Sequence, residues 1–264
     1  VRIGLALGGG AARGFAHIGV IKVLEAQGIV PDIIVGTSAG SVVGALYAAG
    51  FNGFELQRLA LQMDETAIAD WSLPARGVLR GEALQNFINK ALDGRPIEAL
   101  PRKLAVTATD LQTGELVVFE RGNTGMAVRA SSSVPAVFQP VLINGREYVD
   151  GGLVSPVPAR VARRLGADVV IAVDISSRPV SQPVAGSVDV LLQTFAIMGQ
   201  SIASHELQEA DVVIRPALGT IKGTDFAARN LSILEGEAAA SGHMRRIQEV
   251  LARARTQPLP PAGR

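Results

Sequence analysis

A chain of 264 residues, 48% hydrophobic and only 19% charged, holds enough apolar material for one large buried core. Its net charge of +1 comes without a basic stripe, which argues against a nucleic-acid surface. The absence of cysteine excludes disulfides, thiolate nucleophiles and Cys-based metal sites, and three histidines (His17, His205, His243) in no zinc-ligand spacing argue against a zinc centre.

Residues 2–7 read as a buried strand that Gly8-Gly9-Gly10 breaks. Phe15, Ile18, Val20, Ile21 and Leu24 then space a helix that ends at Gly28. Residues 32–35 form a second strand, and a small-residue helix over 42–49 ends near Gly50. Strand, helix, strand, helix implies a parallel sheet covered on both faces. Residues 33–54 also lack charge and are long enough to cross a bilayer. The Pro31-Asp32 start, the glycines and the lack of an aromatic belt favour a buried strand and helix instead.

Residues 53–100 read as helical with breaks at Pro74, Gly77 and Gly94. Two hairpins follow, one around Gln112-Thr113-Gly114 and one around Asn144-Gly145-Arg146. A helix over 157–165, strands over 169–173 and 212–214, a Pro-containing loop or lid over 176–186 and a last helix over 230–255 complete the pattern. The expected organisation is one domain over 1–255 and a flexible tail over 256–264.

Chemistry concentrates first in Gly36-Thr37-Ser38-Ala39-Gly40, between the second strand and its helix. A Gly-x-Ser-x-Gly turn there raises the hydroxyl of Ser38, and the following helix start favours negative charge beside it. The loop Gly8-Gly9-Gly10-Ala11-Ala12-Arg13-Gly14 also joins a strand to a helix, and its N–H groups suit an anion. A dinucleotide pyrophosphate and the oxyanion of an acyl intermediate are the two candidates. Arg13 stands where the dinucleotide fingerprint needs its third glycine, and only an oxyanion explains the serine turn. As the base for Ser38, His205 and His243 fall in polar helical stretches, and His17 caps or packs on the first helix. Asp150, delivered by an apolar strand to Asp150-Gly151-Gly152, is the better base.

These blocks resemble the bacterial patatin-like serine hydrolases of the phospholipase and lysophospholipase family. The glycine loop with Phe15-Ala16-His17-Ile18-Gly19-Val20, the Gly36–Gly40 turn, Ala130-Ser131-Ser132-Ser133-Val134-Pro135 and Asp150-Gly151-Gly152 match in order, over residues 2 to about 175. The resemblance implies a three-layer α/β/α fold with a central, mostly parallel sheet. It implies a Ser38–Asp150 dyad without histidine, acting on phospholipid, lysophospholipid or other acyl esters without cofactor or metal. Gly8, Gly9, Gly10, Ala11, Arg13, Gly14 and Ala39 would hold the oxyanion, with Gly36, Gly40, Gly151 and Gly152 in support. Ala11 replaces a glycine of the family loop and disfavours positive φ, which shifts weight to Gly10. A soluble or peripheral protein is expected, cytoplasmic or in the cell envelope, with peripheral membrane contact through Trp71, Arg76 and Arg80 and self-association both open. A catalytically silent binding relative and a dinucleotide oxidoreductase are the alternatives.

Overall fold

The computed structural model describes residues 1–63, 81–178, 184–219 and 221–257. The interfacial segment around Trp71, Arg76 and Arg80, the breaks at Pro74 and Gly77, the prolines of the 176–186 loop and the tail beyond 257 lie outside these residues.

The predicted alternation folds as one sheet between two helical layers. Its strands are β1 (Ile3–Leu7), β2 (Ile33–Gly36), β3 (Lys103–Asp110), β4 (Leu116–Phe119), β5 (Val141–Ile143), β6 (Arg146–Asp150), β7 (Val169–Val173) and β8 (Val212–Ile214). Their order is β5-β6-β3-β2-β1-β7-β8, with β4 paired to β3 off this path. The β3-β2-β1-β7-β8 part is parallel, and β4, β5 and β6 pair antiparallel, so the sheet is mixed but mostly parallel.

Alternation along the strands fills both faces, because successive side chains point to opposite sides. Leu5, Leu7, Ile34, Val106 and Ile171 join the larger core, with α1 (Ala16–Ala26), α2 (Ala39–Ala48) and α8 (Arg229–Thr256). Ala6, Val35, Ala105 and Val170 face the other way onto α6 (Ala159–Arg164). Further helices are α3 (Gly53–Gln62), α4 (Glu82–Ala91), α5 (Thr124–Ser131) and α7 (Ser187–Glu206). The uncharged run over 33–54 is β2, a turn, α2 and the start of α3, and among the described residues no helix is long and apolar enough to cross a membrane.

One strand brings two distant segments together. β4 occupies one edge of β3 from Val106 to Thr109, so β2 and β6 must share the other edge. β2 ends at Gly36 opposite Val106, and β6 runs the other way and ends at Asp150 opposite Ala108. Two residues of strand, about 6.8 Å, separate those anchor points.

Candidate active site

The turn after β2 is dictated by a close crossing. A Cβ on Gly40 would lie 2.0 Å from the Leu7 carbonyl oxygen, and one on Gly36 would lie 2.5 Å from the Cα of Ser41. Ser38 at the apex adopts φ 53° and ψ −120°, a conformation that costs an L-residue about 1–3 kcal/mol. Its surroundings hold it there. The Ser38 N–H donates to Ser131 Oγ at 2.8 Å, and Ser41 Oγ donates to the Ser38 carbonyl at 2.6 Å. Thr37 Oγ1 donates to the Ser155 carbonyl at 2.8 Å; its single proton thus engaged, it accepts from Thr107 Oγ1 at 2.6 Å.

Asp150 reaches the same place from β6. Its N–H donates to the Ser133 carbonyl at 3.0 Å, and its carbonyl accepts from Thr109 Oγ1 at 2.8 Å. The carboxylate accepts the Gly152 N–H at 2.6 Å and lines the same cavity as Ser38. Burial raises its pKa to about 6, against the opposing pull of the Gly152 N–H and the Ser38 hydroxyl. Ser131 and Ser133, at and just past the end of α5, therefore each hold one of the two candidate residues. The sequence block containing them is conspicuous, yet these bonds are not legible in it.

The glycine loop divides into engaged and free donors. Gly8 N–H donates to the Val173 carbonyl and Gly9 N–H to the Pro156 carbonyl, both at 3.0 Å. Neither amide is free for an anion, which corrects the expectation for these two residues. Arg13 is corrected likewise. Its guanidinium donates to the carbonyls of Ile175, Leu218 and Ile221 at 2.6–2.7 Å and to that of Ser176 at 3.3 Å. Burial lowers its pKa, with Asp174 opposing. Gly14 serves packing, because a Cβ there would lie 2.7 Å from that of Ala39. The N–H groups of Gly10, Ala11 and Ala39 have no partner among the described residues, and all three residues line cavities that open at Ser38. Ala11 does adopt positive φ, at 50°, so the alanine keeps a glycine-like conformation at a cost of about 1–2 kcal/mol.

His17 is buried and its Nε2 donates to the Gly8 carbonyl at 2.8 Å, pinning the loop. Burial pushes its pKa down to about 4, so the ring is neutral. His205 is exposed, and His243 Nδ1 donates to the Ala239 carbonyl on α8. Neither histidine bonds the Ser38 hydroxyl.

Glu206 lies in none of the motifs singled out in the sequence. It ends α7, is 4% exposed, accepts from Ser155 Oγ at 2.5 Å and from the Val157 N–H at 3.2 Å, and so ties α7 to the chain just after Asp150. Burial raises its pKa from 4.5 to about 7, against the Ser155 and Val157 bonds and Arg160. A folded pKa above the unfolded one favours the protonated form. That stabilisation is complete below about pH 4.5 and is lost as pH rises towards 7. Glu206→Gln keeps the shape without the charge. It is expected to be more stable than wild type by about 2–3 kcal/mol at pH 8 and equal to it near pH 4.5, as read by urea unfolding at both values.

A sequence profile described as patatin-like phospholipase matches residues 5–163, more than half of the chain. The chain belongs to the patatin-like phospholipase family. An uncharacterized NTE family protein of Mycobacterium tuberculosis is 39% identical over 178 residues, covering 66% of this chain and 49% of that protein. Patatin-like phospholipase domain-containing protein 6 of Homo sapiens is 33% identical over 184 residues, 67% of this chain and 13% of that protein. The chain thus spans half or less of these relatives. The patatin-like fold also appears in VipD from Legionella pneumophila, with a TM-score of 0.61 at 16% identity over 94% of this chain and 67% of that one. ExoU from Pseudomonas aeruginosa, solved in complex with SpcU, gives 0.54 at 15% identity over 97% and 53%.

Proposed function

We propose that this patatin-like protein is a serine acyl hydrolase that cleaves carboxylic esters of lipids, of the phospholipase A or lysophospholipase type. The observation that carries this reading is the convergence of the raised Ser38 and a buried Asp150 on one cavity, the Ser38 hydroxyl pulling the Asp150 pKa down against burial, beside the N–H groups of Gly10, Ala11 and Ala39 that have no partner among the described residues. Ser38 Oγ passes its proton to Asp150 and attacks the ester carbonyl carbon. The three amides receive the negative charge on the carbonyl oxygen. Asp150 then returns the proton to the departing alcohol, and repeats the cycle on a water that releases the acid. A carboxylate lifted to about 6 is a stronger base than an ordinary aspartate yet still ionised at neutral pH.

Two measurements test the reading together. A fluorophosphonate probe, which needs an activated serine, is expected to label wild type and not Ser38→Ala. Turnover of lysophospholipid is expected to climb about tenfold per pH unit below an inflection near 6 and to level above it, because only the ionised Asp150 accepts the proton. An unlabelled wild-type protein would favour the catalytically silent alternative. The dinucleotide reading has lost its support, since Gly8 and Gly9 donate to the protein's own carbonyls.

A further inference from the structure

Ser38 stands at the meeting of two unlike cavities. The larger, about 790 Å³, mixes polar and charged side chains such as Asp150, Gln193 and Lys222 with apolar ones such as Phe138, Leu192 and Phe195. The smaller, about 120 Å³, is lined among the described residues by apolar side chains and glycine alone, apart from Ser38 and Ser132. It runs beside α2, whose Val42, Val43 and Leu46 face Leu56, Leu59 and Ala60 of α3. Leu46, Leu56 and Ala60 are core residues, 5%, 2% and 4% exposed. A chain that starts at Ser38 and follows α2 meets that core after two turns.

An ester has two arms, and the serine between two cavities must part them. A polar or charged head group left in the small cavity would lose its water without gaining partners, which is costly. An acyl chain placed there gains about 0.8 kcal/mol for each buried methylene. The apolar walls therefore select the acyl side, and the larger cavity is left for the alcohol. The distance along α2 sets how much chain fits. From Ser38 to Leu46 is eight residues, about 12 Å at the helical rise, an upper bound of roughly eight to ten extended carbons; the volume, smaller than the roughly 150 Å³ that admits a benzene ring, holds about four to six.

Resting on the hydrolase reading above, we propose that the cavity beside α2 is an acyl subsite for a single short chain. Leu46, Leu56 and Ala60 close its end, and the leaving alcohol lies on the Lys222 side. Leu46 and Leu59 are then specificity-determining positions. Leu46 ends the channel, and Leu59 narrows it from α3.

The test is kcat/KM for p-nitrophenyl esters from acetate to palmitate. Wild type is expected to peak at about four to six acyl carbons and to fall at least about tenfold by palmitate. Leu46→Ala is expected to move the peak to longer esters. Leu59→Phe is expected to lower the ratio of hexanoate to acetate turnover about tenfold. Ratios within one variant cancel differences in its folded fraction, and Leu59 is only half-buried, so the second variant serves if the first does not fold. A wild-type profile that keeps rising to palmitate, or peaks that stay fixed in both variants, would overturn the subsite while leaving the hydrolase reading intact. Loss of both turnover and fluorophosphonate labelling in wild type would instead remove the hydrolase reading, and the subsite with it.

Discussion

Ser38→Ala and Asp150→Asn are each expected to lower ester turnover by about a thousandfold or more, without loss of the fold. Alanine removes the only atom proposed to attack the carbonyl. Asparagine keeps the size of Asp150 and an oxygen to accept the Gly152 N–H, but it cannot take a proton. The two losses should not add in the double variant, because each disables the same step. Stability should move the other way. The folded Asp150 has its pKa raised from 3.8 to about 6, so its ionised form weakens the fold as pH climbs through that window. Asp150→Asn is therefore expected to match or exceed wild-type stability above pH 6. Steady-state rates beside urea unfolding at pH 8 check both halves. Turnover surviving in Ser38→Ala would falsify the proposed nucleophile.

Arg13→Met is expected to cost about 3–5 kcal/mol of stability and to lower Tm by about 10 °C. The guanidinium is 7% exposed and satisfies four carbonyls on two segments distant in sequence, around Ile175–Ser176 and Leu218–Ile221. Methionine fills comparable space and leaves those acceptors without donors. Arg13→Lys should rescue little, because one ammonium cannot reproduce a planar fork spread over four oxygens. Thermal melts and urea titrations of both variants decide the matter. Stability unchanged within about 1 kcal/mol, with activity lost, would return Arg13 to the anion-binding role that its place in the loop suggested.

Much of the architecture is legible from local pattern. β4, β7 and β8 begin and end where their apolar runs do, and α8 extends one residue beyond the predicted helix at each end. α7 is different. Val188, Val190, Ile197 and Met198 are exposed, and Ala203 and Glu206 are its buried residues, so tertiary placement rather than an apolar stripe fixes how this helix sits. The first helix also starts differently from its periodicity, as a 3-10 turn over Ala11–Phe15 before α1, because the loop must first deliver Arg13 inward.

The candidate site divides along the same line. Local sequence determined the strand–turn–helix around Ser38, because steric limits on φ and ψ act within a few residues, whereas the positive φ of Ala11 runs against the local preference of an alanine. The order of the four motifs likewise sufficed to mark the family. Only the tertiary structure decided that Gly8 and Gly9 are engaged while Gly10, Ala11 and Ala39 have no partner among the described residues, and that Arg13 braces distant backbone. It alone set Glu206 beneath Ser155 and brought Asp150 to Ser38 along one edge of β3. Those partners meet through strand register and helix packing across long stretches of chain. A donor or carboxylate carries no mark in the sequence of which acceptor the fold will bring to it.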